Sequence, residues 1–137
     1  MSKRTPTYPL IDDTEAQIAA ASGRPLTDIT VENVMQETLD SHDLRIRGDT
    51  LRQQAQIAQQ SGYGQLAANL TRAAELVDVP NDEMLRMYEV LRPHRASYSI
   101  LQALAATLEQ KYSAPMNAKL VREAADAYRE RGLLRRE

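Results

Sequence analysis

Cysteine is absent from this 137-residue chain, which excludes disulfides, thiolate nucleophiles and Cys-ligated metals and fits a reducing cytoplasm. Tryptophan and phenylalanine are absent too, so six tyrosines are the only aromatic residues. The core must therefore be assembled from Leu, Ile, Val, Met and many Ala. Alanine lets helices approach closely but contributes little apolar area per residue. A thin core of that kind suits a subunit that buries further surface on partners, and it is also compatible with a domain that folds alone. No apolar run approaches the ~20 residues that span a bilayer, and MSKRTPTYPL lacks a signal-peptide apolar core. A net charge of −2 and a pI near 5.7 argue against an electrostatic role on nucleic acid or membrane surfaces.

What is present is helical periodicity. Residues 1–30 read as an irregular N-terminal segment punctuated by Pro6, Pro9, Gly23 and Pro25, with one short helix around Asp13–Ala20, and as either a disordered tail or an extended arm lying across another surface. Residues 31–137 read as one helical domain, a small bundle of about four main helices, and the fold class is all-α. Thr30 is placed to cap a helix over Val31–Leu39, and Ser41–Gly48 is a connector with an extended stretch at Leu44 and Ile46. Asp49 is placed to cap a helix over Thr50–Ser61 with Leu51, Ala55 and Ala58 inward, and Gly62 stops it in the left-handed position. A helix over 64–77 follows, carrying Leu66, Leu70, Ala73, Ala74 and Val77 on one side, as an antiparallel neighbour. Pro80 interrupts that stripe. Met84, Leu85, Tyr88 and Leu91 then recur at helical spacing until Pro93. Ser97 caps a helix over 98–112, and Pro115 starts the last one, with Met116, Leu120, Ala124, Ala127 and Tyr128 as its buried stripe.

Constellations able to do chemistry are missing from the pattern. His42 and His94 are far apart and have no ligand partner at helical spacing. Asp12-Asp13 and Asn81-Asp82-Glu83 are explained by placement at helix starts. Gly62-Tyr63-Gly64 follows a helix and lacks the glycine spacing and Lys-Ser/Thr of a phosphate loop. No nucleophile elbow surrounds a serine. One polar cluster stands out: Arg45 and Arg47 flank Ile46 between Asp43 and Asp49. It reads equally as a solvated loop or as a docking element pairing with carboxylates.

Four segments in order, SGRPLTDIT (22–30), DLRIRGDTLRQQAQIA (43–58), RAAELVDVPNDEMLRMYEVLRPHR (72–95) and VREAADAYRERGLL (121–134), resemble the small (gamma) subunit of adenosylcobalamin-dependent diol and glycerol dehydratases. The stretch DDTEAQIAAAS (12–22) departs from that pattern. The resemblance implies a cytoplasmic holoenzyme with two copies each of large, medium and small subunits, and leaves microcompartment association open. It implies a lyase that turns propane-1,2-diol or glycerol into an aldehyde and water by radical chemistry. Adenosylcobalamin would sit between the large and medium subunits, with which the absence here of the D-x-H-x-x-G signature of base-off corrinoid enzymes is compatible. No catalytic, cofactor or metal residue is expected here. Partner contacts are expected at Tyr8, Leu10, Leu26, Arg45, Arg47, Tyr88 and Arg92. The rival reading is a stand-alone helical interaction or scaffold module without an enzyme attached.

Overall fold

The computed structural model describes residues 4–136. Its regular structure among them is helical, as expected, and the strand-like pairing is an isolated bridge between Ala19 and Pro25. The chain divides into two compact units, one ending at Val77 and the other beginning at Asp78.

In the first unit, Thr30 Oγ1 accepts the Asn33 amide and starts α1 (Val31–Met35). This helix stops short of the expected Leu39. Glu37 turns left-handed (φ 55°), and the amides of Glu37 and Thr38 close back onto the Val34 and Asn33 carbonyls at 3.1 Å each. Ser41–Leu44 forms a 3-10 turn inside a capping box between Asp40 and Asp43, so extended backbone is confined to the residues just after it. Helix α2 (Gly48–Gln60) begins earlier than expected, with no side-chain cap. Asp49 therefore lies inside its first turn, paired with Arg47 at 3.5 Å and Arg52 at 3.3 Å. Gly62 (φ 85°) ends α2 while Tyr63 N–H reaches the Ala58 carbonyl at 2.8 Å. Helix α3 (Gly64–Leu76) returns along α2. The two run so close that a Cβ on Gly48 would stand 3.2 Å from the Ala74 carbonyl oxygen.

The second unit holds α4 (Asn81–Val90), α5 (Tyr98–Gln110) and α6 (Pro115–Arg131). Ser97 Oγ accepts the Ile100 amide at 3.4 Å, and Pro115 occupies the first turn of α6. Helices α5 and α6 pack together, and Leu101, Ala105, Ala114, Ala118 and Ala125 are fully enclosed. Tyr128 Oη donates to the Leu91 carbonyl at 2.6 Å. His94 N–H to the Leu133 carbonyl and Arg135 N–H to the Ala96 carbonyl tie the chain after α6 beside the turn after α4.

Small residues face in and many large ones face out. Most of the buried apolar residues are alanines, the others being Leu10, Leu51, Val79, Met87, Leu101, Leu108 and Val121. Three expected stripes are shifted in part, with Ala74 buried and Leu70, Leu91 and Tyr128 packed against the core as expected, while other members turn outward. On α3, Ala67 and Ala74 are buried whereas Leu66 and Ala73 are exposed. On α4, Met87 points inward, while Leu85 and Tyr88 are 71% and 66% exposed. On α6, Asn117, Ala118, Val121 and Ala125 form the inner face, and Met116 and Leu120 lie outside. On α3 and α6 the reason is geometric: small side chains let two helix backbones approach, so the Ala-containing face wins the contact and the Leu-bearing face is turned outward.

Candidate docking surface

The expected helix near Asp13–Ala20 does not form. Leu10–Asp12 makes a 3-10 turn instead, and the following residues fold back so that Leu26 N–H meets the Ile18 carbonyl and Ala20 N–H meets the Arg24 carbonyl. The cause is Asp13. Its carboxylate accepts from the Thr7 and Glu15 amides, local bonds that compete with helix formation. Rather than sitting at a helix start, Asp13 is a buried hub.

This folded N-terminal segment and the α2–α3 pair enclose an open apolar groove of about 900 Å³. Tyr8, Pro9, Leu10, Ile11, Ile18 and Leu26 line one side, and Ile57, Ala58, Tyr63, Leu66 and Leu70 contribute from α2, α3 and the turn between them. Thr50, Gln54 and Ser61 supply the remaining polar groups. A lining of this kind holds no imidazole, carboxylate or amine, and so no general base or nucleophile pair. It suits an apolar partner segment.

Of the expected contact residues, the groove brings together Tyr8, Leu10 and Leu26. Tyr8 is 79% exposed, whereas Leu10 is buried and anchors its loop from within. Arg45 and Arg47 belong to the same unit but do not line the groove. The Asp43–Asp49 cluster is split. Asp43 turns inward to accept from Ser22 Oγ at 2.6 Å and Arg24 Nε at 3.2 Å, while Arg47 pairs with Asp49. Arg45 lends its carbonyl to the Ala21 amide, and its side chain is exposed. Tyr88 and Arg92 lie in the second unit, Arg92 sharing Glu89 with Arg95. Sequence reasoning passed over Ile57, Tyr63 and Leu66 as contact residues. A tyrosine held between two glycines at a helix–helix turn was the available signal for Tyr63.

Electrostatics pin the segment. Arg4 donates to Asp13 at 2.7 Å, and this bond, with the Thr7 and Glu15 amides, outweighs burial and holds the Asp13 carboxyl at about 2. The Arg4 guanidinium is raised in turn by Asp13. Asp43 is also lowered, chiefly by the Ser22 hydroxyl and then by the Asp40 amide. In the second unit, Lys111 is raised by Tyr112, over whose ring its ammonium sits at 5.0 Å. His42 and His94 are exposed, one in each unit. Among the described residues no group of three or more His, Cys, Asp or Glu could hold a metal ion, and no helix is long and apolar enough to cross a membrane.

Residues 4–135 match the Dehydratase small subunit family. The chain is 43% identical over 128 residues to a propanediol dehydratase small subunit of Citrobacter freundii, covering 93% of this chain and 74% of that one. It is 42% identical over 134 residues to the propanediol dehydratase small subunit of Salmonella typhimurium strain LT2, covering 98% and 78%. The resemblance carried by the four segments thus extends over nearly the whole length, and the chain belongs to the dehydratase small-subunit family.

Proposed function

We propose that this chain is the non-catalytic small subunit of an adenosylcobalamin-dependent diol or glycerol dehydratase, a lyase converting a vicinal diol into an aldehyde and water. Its partners are a large and a medium subunit, two copies of each of the three making the cytoplasmic holoenzyme. Family membership supports the assignment, and one structural observation carries the accessory role. Alanines fill the interior, while Tyr8, Ile11, Met35, Leu44, Tyr63, Leu85 and Tyr88 stand exposed. Covering such side chains removes apolar surface from water, and that gain offsets part of the cost of association with a partner.

Cofactor and substrate chemistry belong to the other subunits in this reading, as the resemblance to the dehydratase small subunits implies. The segment up to residue 30 acts as an arm against the large subunit, with the helices from residue 31 onward as the body. Tyr8 and Leu26 touch the partner through the groove, with Leu10 beneath them. Arg45 and Arg47 dock at its acidic groups, and Tyr88 and Arg92 make contacts from the second unit.

Co-expression with the large and medium subunits encoded beside it tests the reading. A co-purifying complex that forms propanal from propane-1,2-diol, or 3-hydroxypropanal from glycerol, when given adenosylcobalamin supports it. Turnover by the isolated chain, or purification as a free module, overturns it.

A further inference from the structure

Two buried carboxylates have no role in the reading above, and both hold the N-terminal segment. Three donors separated in sequence converge on Asp13: Arg4 Nη2 at 2.7 Å, Thr7 N–H at 2.6 Å and Glu15 N–H at 3.0 Å. Residues 4–15 are thereby closed into a loop with one carboxylate as its crosspiece, and the apolar stretch Tyr8–Ile11 is the part of that loop that lines the groove. The Asp13 side chain has no exposed surface. Asp43 does the same for the next stretch. It accepts from Ser22 Oγ, Arg24 Nε and the Asp40 amide, fixing the turn at residues 20–24 against the connector before α2. Two neutral bonds and one from a guanidinium complete the attachment: Gln56 Nε2 to the Arg4 carbonyl at 3.3 Å, Gln60 to Thr5, and Arg24 Nη2 to the Thr38 carbonyl at 2.8 Å.

We infer that Asp13 and Asp43 are positioning residues that latch residues 4–28 into a preformed wall of the groove before any partner binds. An arm that ordered only on docking would lose conformational entropy at that moment and bind more weakly for the same contact area. Here that ordering is completed within the free chain, by hydrogen bonds to ionised groups, the stronger class of such bonds. The inference adds preorganisation to the docking role proposed above and rests on that role only for its functional consequence.

Amide hydrogen exchange on the isolated full-length chain tests it, with the helix amides of α5 and α6 as the control for folding. The wild-type chain should protect the Thr7, Glu15 and Asp40 amides without any partner. Asp13→Asn should speed exchange at Thr7 and Glu15 by about tenfold or more while α5 and α6 stay protected. The same variant should slow association with the large subunit more than it speeds dissociation. Free wild-type chain that exchanges residues 4–28 without protection, and gains it only in the complex, overturns the inference. So does unchanged exchange at Thr7 and Glu15 in Asp13→Asn. A protected free chain that binds no large subunit leaves the latch standing and removes the docking role instead.

Discussion

Arg4 reaches across nine residues to place its guanidinium 2.7 Å from the Asp13 carboxylate, the cation half exposed and the anion shielded from solvent. The pair is asymmetric in a useful way. Arginine keeps much of its hydration, while the carboxylate replaces lost water with three protein donors, so neither charge is left uncompensated. The loop it closes carries Tyr8 to the rim of the groove.

The acid response of the chain follows from that arrangement. A carboxyl held at about 2 in the folded state, below the 3.8 of an unperturbed aspartate, binds its proton less readily than in the unfolded chain. Its stabilising contribution is complete above 3.8 and is lost as pH falls from there through 2. Asp43, also lowered, acts in the same direction. Urea midpoints measured from pH 6 to 2 should fall over this window, and the fall should be shallower in Asp13→Asn. Identical pH slopes for the two proteins would contradict the assignment.

Leu101 is the largest side chain with no exposed surface, and it packs in a cluster with Ala96 and Ala125. Leu101→Ala should cost about 2–5 kcal/mol, because alanine neighbours cannot swell to refill the void. Chemical denaturation of the isolated chain gives the number. A loss within about 0.5 kcal/mol, the range of surface substitutions, would mean that the site is not core.

The orientation of α6 makes an opposite pair of expectations. Ala118→Leu should destabilise by about 1–3 kcal/mol, since extra methylenes enter a fully enclosed position. Leu120→Ala, two residues along on the outer side, should change the stability of the isolated chain by no more than about 0.5 kcal/mol. Reversal of the two effects would restore the stripe that sequence periodicity favours.

A related contrast separates folding from assembly. Tyr8 and Tyr63 both line the groove and both are exposed. Replacing both with alanine should leave the urea midpoint of the isolated chain nearly unchanged and weaken association with the large subunit by about tenfold or more. Equal losses in stability and association would show that the tyrosines serve the fold instead.

The helices from α1 onward and several of their boundaries were legible in the sequence, because caps and stops are local, but the short helix read over Asp13–Ala20 is absent and α1 and α2 differ in one boundary each. Thr30 and Ser97 cap as read, Gly62 turns left-handed, and Pro115 sits in the first turn. Rotation was legible for α2 and α5, where Leu51, Ala55 and Ala58 and then Leu101, Ala105 and Leu108 are buried as read, but not for α3, α4 and α6. On alanine-rich helices two faces share the same period, and a scale of hydrophobicity favours the Leu face over the Ala face that packs. Leu66 against Ala67, and Leu120 against Val121, were misplaced for that reason. Within the site, Tyr8 and Leu26 were readable as apolar residues in a segment of little core. Asp13 and Asp43 were not readable as hubs, since a buried aspartate and a helix-start aspartate look alike until the chain has folded back. Asp43 depends on Ser22, twenty-one residues earlier, and no local pattern announces such a bond.

Hydroxyl-radical footprinting of the chain alone and within the purified dehydratase complex addresses the central claim, that its outward apolar residues meet another subunit. Tyr8 and Tyr63 should be modified readily in the free chain and strongly protected in the complex, while the modification of Tyr128, already half-buried, changes little. Equal labelling of Tyr8 and Tyr63 in the two states would contradict the account.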